Sequence, residues 1–255
     1  MSQALNLTDQ YLMELSLKGI RESLSSRIKE ALDSNLSYTD FLNVIFFDET
    51  QFRKNVRRKK LLKAAGFKTQ ASLEGLSYEK IRNFDRKLIQ EISKLNFLND
   101  GTNVLIFGST GVGKTYLATA IGNHVCRNNK STLFMKMNIL LEKIALARAE
   151  GTYINFLKKI STIDLLIIDD FGIKALNPQQ FQDFYDILSE RENDRSVILT
   201  TQLPSENWNE IIGDPLVCEA ISDRLTARAI KINIKGPSKR PEKRTNLTVQ
   251  VEGGN

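Results

Sequence analysis

The pattern of apolar and polar positions splits the chain into two unlike parts. Up to residue 98 the spacing is helical, with no period-two alternation. Leu17, Ile20, Leu24, Ile28 and Leu32 recur three and four residues apart and define one apolar face. Thr8-Asp9 reads as a helix start and Gly19 as a break. Asn35 and Ser37 punctuate, and Thr39-Asp40 open a longer helix with no Gly or Pro before Gly66. Phe41, Leu42, Val44, Ile45, Phe46 and Phe47 fall on more than one of its faces, so it is either a buried centre or a partner surface. Gly66 to Gly75 reads as a loop. Ser77 then caps a helix carrying Ile81, Phe84, Leu88, Ile92 and Leu95, and Asn99-Asp100-Gly101 forms a turn.

Beyond that turn, five short apolar runs alternate with helical segments. The runs are Val104–Phe107, Thr132–Met137, Leu165–Ile168, Ser196–Thr200 and Ile230–Ile234. Helical spacing fills Tyr116–Asn123, Ile139–Glu150, Pro178–Glu192 and Pro215–Ala229. Such alternation predicts an α/β fold with a parallel, doubly wound sheet of five strands, preceded by a small all-helical domain. The division is 1–70 for the helical domain, 71–235 for the sheet domain and 236–255 for a basic, mobile tail.

The first strand runs into Gly108-Ser109-Thr110-Gly111-Val112-Gly113-Lys114-Thr115, followed by a helix. In that setting a GxxxxGK[ST] pattern has a mechanism: glycines let backbone N–H groups converge on phosphate oxygens, and the helix start adds partial positive charge. Lys114 brings a full charge to the outer phosphates, and the Thr115 hydroxyl can ligate Mg²⁺. The run Leu165-Leu166-Ile167-Ile168-Asp169-Asp170 is a buried strand ending in two acids at the edge where such folds bind ligands. Asp169 fits a Mg²⁺-coordinating role, and Asp170 fits a general base for an attacking water. Ser196-Val197-Ile198-Leu199-Thr200-Thr201-Gln202 is another strand with a polar end, from which Gln202 or Thr201 would orient that water. Arg224, before the last strand, is placed away from its own loop and is the candidate to stabilise charge at a neighbouring subunit's phosphate; a surface salt bridge with Asp223 or Glu219 is the alternative.

Composition adds one element. The net charge is +6 and the isoelectric point about 9.2, compatible with an acidic partner. Between Phe52 and Lys68, Arg53, Lys54, Arg57, Arg58, Lys59, Lys60, Lys63 and Lys68 occur with no acidic residue. Arg53, Arg57 and Lys60 share a face able to track a phosphate backbone, so Arg53, Lys54, Arg57, Arg58 and Lys60 are candidate DNA contacts. Nothing signals base-specific reading. Two distant cysteines, Cys126 and Cys218, point to a reducing compartment, and no apolar run suits a membrane. The expectation is a cytoplasmic protein. The single histidine, His124, is expected to pack rather than catalyse.

GSTGVGKT, LLIIDD, ILTTQLP, IIGDP, ISDRL and IKGPSKR occur in an order and spacing that resemble the IstB-like helper ATPases of insertion sequences, members of the AAA+ class related to DnaC-type helicase loaders. The resemblance implies an AAA+ P-loop domain in which ATP and Mg²⁺ bind at Lys114, Thr115 and Asp169, with Asp170 the catalytic acid and Gln202 the first sensor. It makes Arg224 an intersubunit finger. It also implies a homo-oligomer with ATP sites between subunits, which assembles on double-stranded DNA and engages a transposase. The chain departs from that pattern in two respects. The catalytic acid is Asp where many AAA+ proteins have Glu, which implies slow hydrolysis. Residues 235–255 are too few for a full helical lid, leaving Arg240 as the one position for a second sensor. The alternatives are a DnaC-type replicative helicase loader and a nucleotide-gated scaffold that does not hydrolyse.

Overall fold

Every strand lies parallel to its neighbours, in the order β2-β3-β4-β1-β5. The computed structural model describes residues 2–76, 85–191, 195–212 and 215–238. The elements are α1 Ser2–Glu14, α2 Lys18–Asp33, α3 Tyr38–Ala64, α4 Arg86–Ser93, β1 Asn103–Gly108, α5 Lys114–Arg127, β2 Thr132–Lys136, α6 Met137–Ala149 and α7 Tyr153–Ser161. They continue as β3 Leu165–Phe171, α8 Pro178–Arg191, β4 Ser196–Thr201, α9 Asn209–Ile212, α10 Pro215–Thr226 and β5 Ala229–Ile234. The five expected strands are all present. They read as unbroken apolar runs because helices cover both faces of the sheet. One face packs on α6, α7, α8 and α10 through residues such as Leu140, Ile144, Phe184 and Ile221. The other packs on α4 and α5 through Ile92, Leu117 and Ile121.

The position of β4 between β1 and β3 shapes the carboxyl edge of the sheet. The glycine loop leaves the carboxyl end of β1, and the two acids close β3, so the end of β4 falls between them.

The helical region differs in detail from its sequence pattern. Thr8-Asp9 lie inside α1 rather than at its start, and the break comes at Ser16, whose φ is 56°. Gly19 sits in the first turn of α2 and is there for space. A Cβ on it would stand 2.5 Å from the Phe52 Cβ and 2.8 Å from the Glu49 Cα of α3. This close approach lets the Glu49 carboxylate reach the start of α2, accepting from the N–H groups of Gly19 at 2.7 Å and Ile20 at 3.1 Å. A carboxylate at a helix N-terminus meets both unsatisfied donors and the positive end of the dipole. Burial alone would raise the pKa of Glu49; the ion pair with Arg53 and the two N–H bonds outweigh it and hold the pKa below the ordinary value. Leu12, Ile20 and Ile45 form the small core here, flanked by Leu17, Leu24 and Phe41. Phe46 and Phe47 are 54% and 59% exposed, so the apolar excess of α3 lies on its surface.

The far end of α3 is built into the sheet domain. The Ala65 carbonyl accepts from the N–H of Phe134 in β2 at 2.8 Å, and the Phe67 and Phe134 rings meet at 6.2 Å. Helix α4 starts at Arg86, where the Asp85 carboxylate accepts from the N–H groups of Lys87 and Leu88. The expected cap Ser77, with Ile81 and Phe84, lies outside the described residues. Met137, expected to end β2, is instead the first residue of α6. Helix α7, unanticipated, buries Leu157 and Ile160. Cys126 and Cys218 are free and buried, and the His124 Nε2 lies 2.9 Å from the Ser93 carbonyl oxygen, a packing role. Among the described residues, no helix is long and apolar enough to cross a membrane.

Replacing Glu49 with Ala should destabilise the helical region by about 1–3 kcal/mol, because two N–H groups and Arg53 lose their acceptor. The folded pKa of Glu49 lies below its ordinary 4.5, so its contribution is complete above that pH and is lost as the pH falls through the folded value. Melting of wild type and E49A followed by circular dichroism should therefore show a gap at neutral pH that closes in acid.

Candidate nucleotide site

The glycine loop turns from β1 into α5 with Gly111 at φ 84° and Gly113 at φ 109°. Gly111 is constrained twice over: its backbone is left-handed, and a side chain there would collide with Ser238, because the segment after β5 returns over the loop. Lys114 is 7% exposed and its ammonium donates to the carbonyls of Gly108 at 2.8 Å and Ser109 at 2.9 Å. The charge is thereby held within the loop's curve. Thr110 donates its hydroxyl to the Gln202 Oε1 at 2.7 Å, which ties the end of β4 to the loop.

Asp169 is almost fully buried, and burial raises its pKa above the usual carboxylate value. Two hydroxyls oppose that shift. Thr115 donates to the Asp169 oxygens at 2.9 and 3.1 Å, and Thr200 donates at 2.6 Å. The Thr200 oxygen in turn accepts from the N–H of Asp170 at 3.1 Å. This knot depends on an irregularity: Ile168 pairs with Leu199 but Phe171 with Thr201, so β3 carries one residue more than β4. The bulge re-aims the two acids. Asp170 takes φ 63°, a left-handed backbone that Asp tolerates better than most residues. The next residue, Phe171, is buried against the rings of Phe184 at 5.6 Å and Trp208 at 5.1 Å.

The Asp170 carboxylate pairs with the Lys136 ammonium at 2.5 Å. Lys136 stands opposite Asp169 in the β2–β3 register, so sheet pairing brings it here. The pair engages the Oδ2 of that carboxylate.

The structure thus gathers the loop, Lys114, Thr115, Asp169, Asp170 and Gln202 at one sheet edge. Thr201 is turned away: its hydroxyl accepts from the N–H of Leu203 at 3.1 Å and serves the turn after β4. Strand alternation makes Thr200 the residue that faces Asp169, and period-two reading from Gln202 is the signal that would have found it. Thr115 and Asp169 supply hard oxygen donors side by side, a donor set that suits Mg²⁺.

Arg224 lies at the other edge. The Asn103 side chain, at the amino end of β1, donates to the Arg224 carbonyl at 3.0 Å. The five residue steps of β1 from Asn103 to Gly108 separate it from its own loop, about 17 Å at ~3.3 Å per residue.

Arg53, Arg57 and Lys60 share a groove with Lys18, as their spacing predicts, and Lys54 is exposed. The basic run is less unbalanced than its composition suggests. Arg53 pairs with Glu49 at 2.7 Å, one turn earlier, and Arg58 leaves the groove to donate to the Arg127 carbonyl at 2.9 Å. Arg240 lies outside the described residues.

The family model described as IstB-like ATP binding protein matches residues 10–247. The insertion sequence ATP-binding protein y4pL of Sinorhizobium fredii is 34% identical over 90% of this chain and 94% of its own length. Among solved structures, a crystal structure of DnaI aligns with TM-score 0.56 and 22% identity over 69% of this chain and 94% of that one. A DnaC helicase loader aligns with TM-score 0.52 and 23% identity over 58% of this chain and 89% of that one. The chain belongs to the IstB-like ATP-binding family, and its sheet domain has the AAA+ P-loop fold.

A Thr200→Val protein should keep its affinity for nucleotide and lose turnover by about tenfold or more, because Asp169 and the Asp170 N–H each lose a buried partner. Fluorescent-nucleotide titration and phosphate release, measured side by side, check this.

Proposed function

We propose that this member of the IstB-like ATP-binding family assists transposition, as an ATPase that oligomerises on target DNA and engages a transposase. The observation that carries the reading is the split placement of its charged groups. Lys114, Thr115, Asp169 and Asp170 meet at one sheet edge, while Arg224 is held at the opposite edge, about a strand's length away. Arg224 therefore suits the phosphates of a neighbouring copy better than its own. The likeness to an insertion sequence ATP-binding protein of Sinorhizobium fredii supports the transposition context. The helicase-loader alternative rests on shared fold alone.

In this reading the loop N–H groups and Lys114 hold the phosphates. Thr115 and Asp169 hold Mg²⁺, which when bound would neutralise phosphate charge. Gln202, already bonded to Thr110, sits where it can orient a water, and Asp170 takes that water's proton once parted from Lys136. Arg224 of the adjacent subunit completes the charge at the outer phosphate, so nucleotide state and assembly are coupled. Hydrolysis is then slow in the isolated chain for two reasons: the Lys136–Asp170 pair and the missing neighbour. The helical region, taken as residues 1–70, contributes duplex DNA contacts through Arg57, Lys60, Lys54 and the Glu49-paired Arg53; the sheet domain, 71–235, contributes the ATP sites.

Two measurements test this. Lys114→Ala should fail to assemble on duplex DNA with ATP, seen by analytical ultracentrifugation; assembly at wild-type strength would refute the coupling. Arg57→Ala combined with Lys60→Ala should weaken DNA binding and make its log–log salt slope shallower by about 2, one unit per lost phosphate contact. An unchanged slope would move the DNA surface elsewhere.

A further inference from the structure

Arg224 is held by more than its own helix. Its guanidinium carbon sits 4.3 Å from the centre of the Tyr185 ring, and its Nη2 donates to the Tyr185 hydroxyl at 2.8 Å. Its Nη1 donates to the Ala220 carbonyl, one turn back along α10, at 3.2 Å. The main chain beneath is clamped as well. The Asn103 Nδ2 donates to the carbonyls of Arg224 and Leu225, and the Asn103 Oδ1 accepts from the N–H of Val197 at 2.9 Å. Asp223, Arg224 and Arg228 line a cavity of about 130 Å³ together with Asn103.

We propose that Tyr185 is the positioning residue for Arg224. Its ring and hydroxyl fix the plane and reach of the guanidinium before the neighbouring subunit's nucleotide arrives. This rests on the reading of Arg224 as a residue that acts in trans. A loose arginine side chain has many rotamers, and ordering one at the moment of reaction opposes catalysis. Here the ordering is done in advance by two contacts from a different helix. The ring offers an electron-rich face to the cation, and the hydroxyl fixes rotation about the guanidinium plane. The bonds to Tyr185 and to Ala220 engage both Nη atoms of a planar fork whose geometry matches phosphate oxygens. Because α8 begins eight residues after Asp170, the helix that orders Arg224 is the one that follows the acidic strand end. In this reading the effect of Tyr185 passes through Arg224, which its ring and hydroxyl both contact.

The test compares Tyr185→Phe, Tyr185→Leu and Arg224→Ala in the full chain, with duplex DNA and ATP under assembling conditions. Y185F, which keeps the ring and drops the hydroxyl, should lower kcat about tenfold with KM for ATP unchanged, and Y185L should lower it further. R224A combined with Y185F should be no slower than R224A alone, since both changes act on one unit. Mixed oligomers supply the readout that a merely structural role would not move. Wild-type subunits mixed with D170N/Y185F subunits should turn over more slowly than when mixed with D170N subunits, because the defect is felt by the neighbour. If R224A loses turnover while Y185F and Y185L match wild type, Tyr185 does not position the arginine and the proposal fails. A change confined to KM, or mixtures that turn over equally, overturns it too. If R224A itself turns over as wild type, the trans reading of Arg224 fails first, and the proposal with it.

Discussion

A buried carboxylate organises the sheet edge. Asp169 is enclosed at the end of β3, where an ionised acid without hydrogen bonds would be strongly unfavourable. It is made tolerable by hydroxyls from two other elements: Thr115 at the head of α5 and Thr200 in β4. Those bonds link the loop, the acidic strand and the strand between them into one polar unit inside an apolar sheet. The bulge in β3, the left-handed turn at Asp170 and the aromatic stack on Phe171 all serve the aim of that unit. The pKa of Asp169 stays raised, because burial, with the charge of neighbouring Asp170, outweighs the hydroxyl bonds that pull the other way.

The same logic, a charge placed where backbone needs it, recurs in the helical region. Glu49 is the counterpart of Asp169 there: a buried acid answering the N–H groups at the start of α2 and the Arg53 guanidinium. It explains why a small core of three buried side chains suffices to fix the crossing of α2 and α3. It also divides the basic run by role. Arg53 and Arg58 have structural partners, whereas Arg57 and Lys60 face the groove.

How much is legible in the sequence depends on the range of each interaction. The five strands and the glycine loop are readable because burial on both faces and a local turn each leave a contiguous signature. Asp169 and Asp170 are readable because they end such a run. The region before residue 98 is harder. Thr8-Asp9 resemble a cap but lie inside α1, since polar residues on an exposed helix face carry no boundary information. Gly19 looks like a breaker because its purpose, room for Phe52 and Glu49, lies thirty residues away in sequence. Glu49 escapes a window that opens at Phe52. Thr200 is hidden by its neighbour Thr201, and only the strand's alternation separates the one that bonds Asp169 from the one that closes a turn. Lys136 carries no motif at all; pairing of β2 with β3 puts it beside Asp170.

Helix α3 is one uninterrupted rod of 27 residues, about 40 Å long at 1.5 Å per residue. Its foot is pinned to β2 by the Ala65 carbonyl, and its other end carries Tyr38, Leu42, Phe46 and Phe47 into solvent. Such a rod has a mechanical advantage. A tilt of about 5° at the foot sweeps the Tyr38 end through about 3.5 Å over that length. The rod thus sets its exposed apolar end about 40 Å from the strand that anchors it.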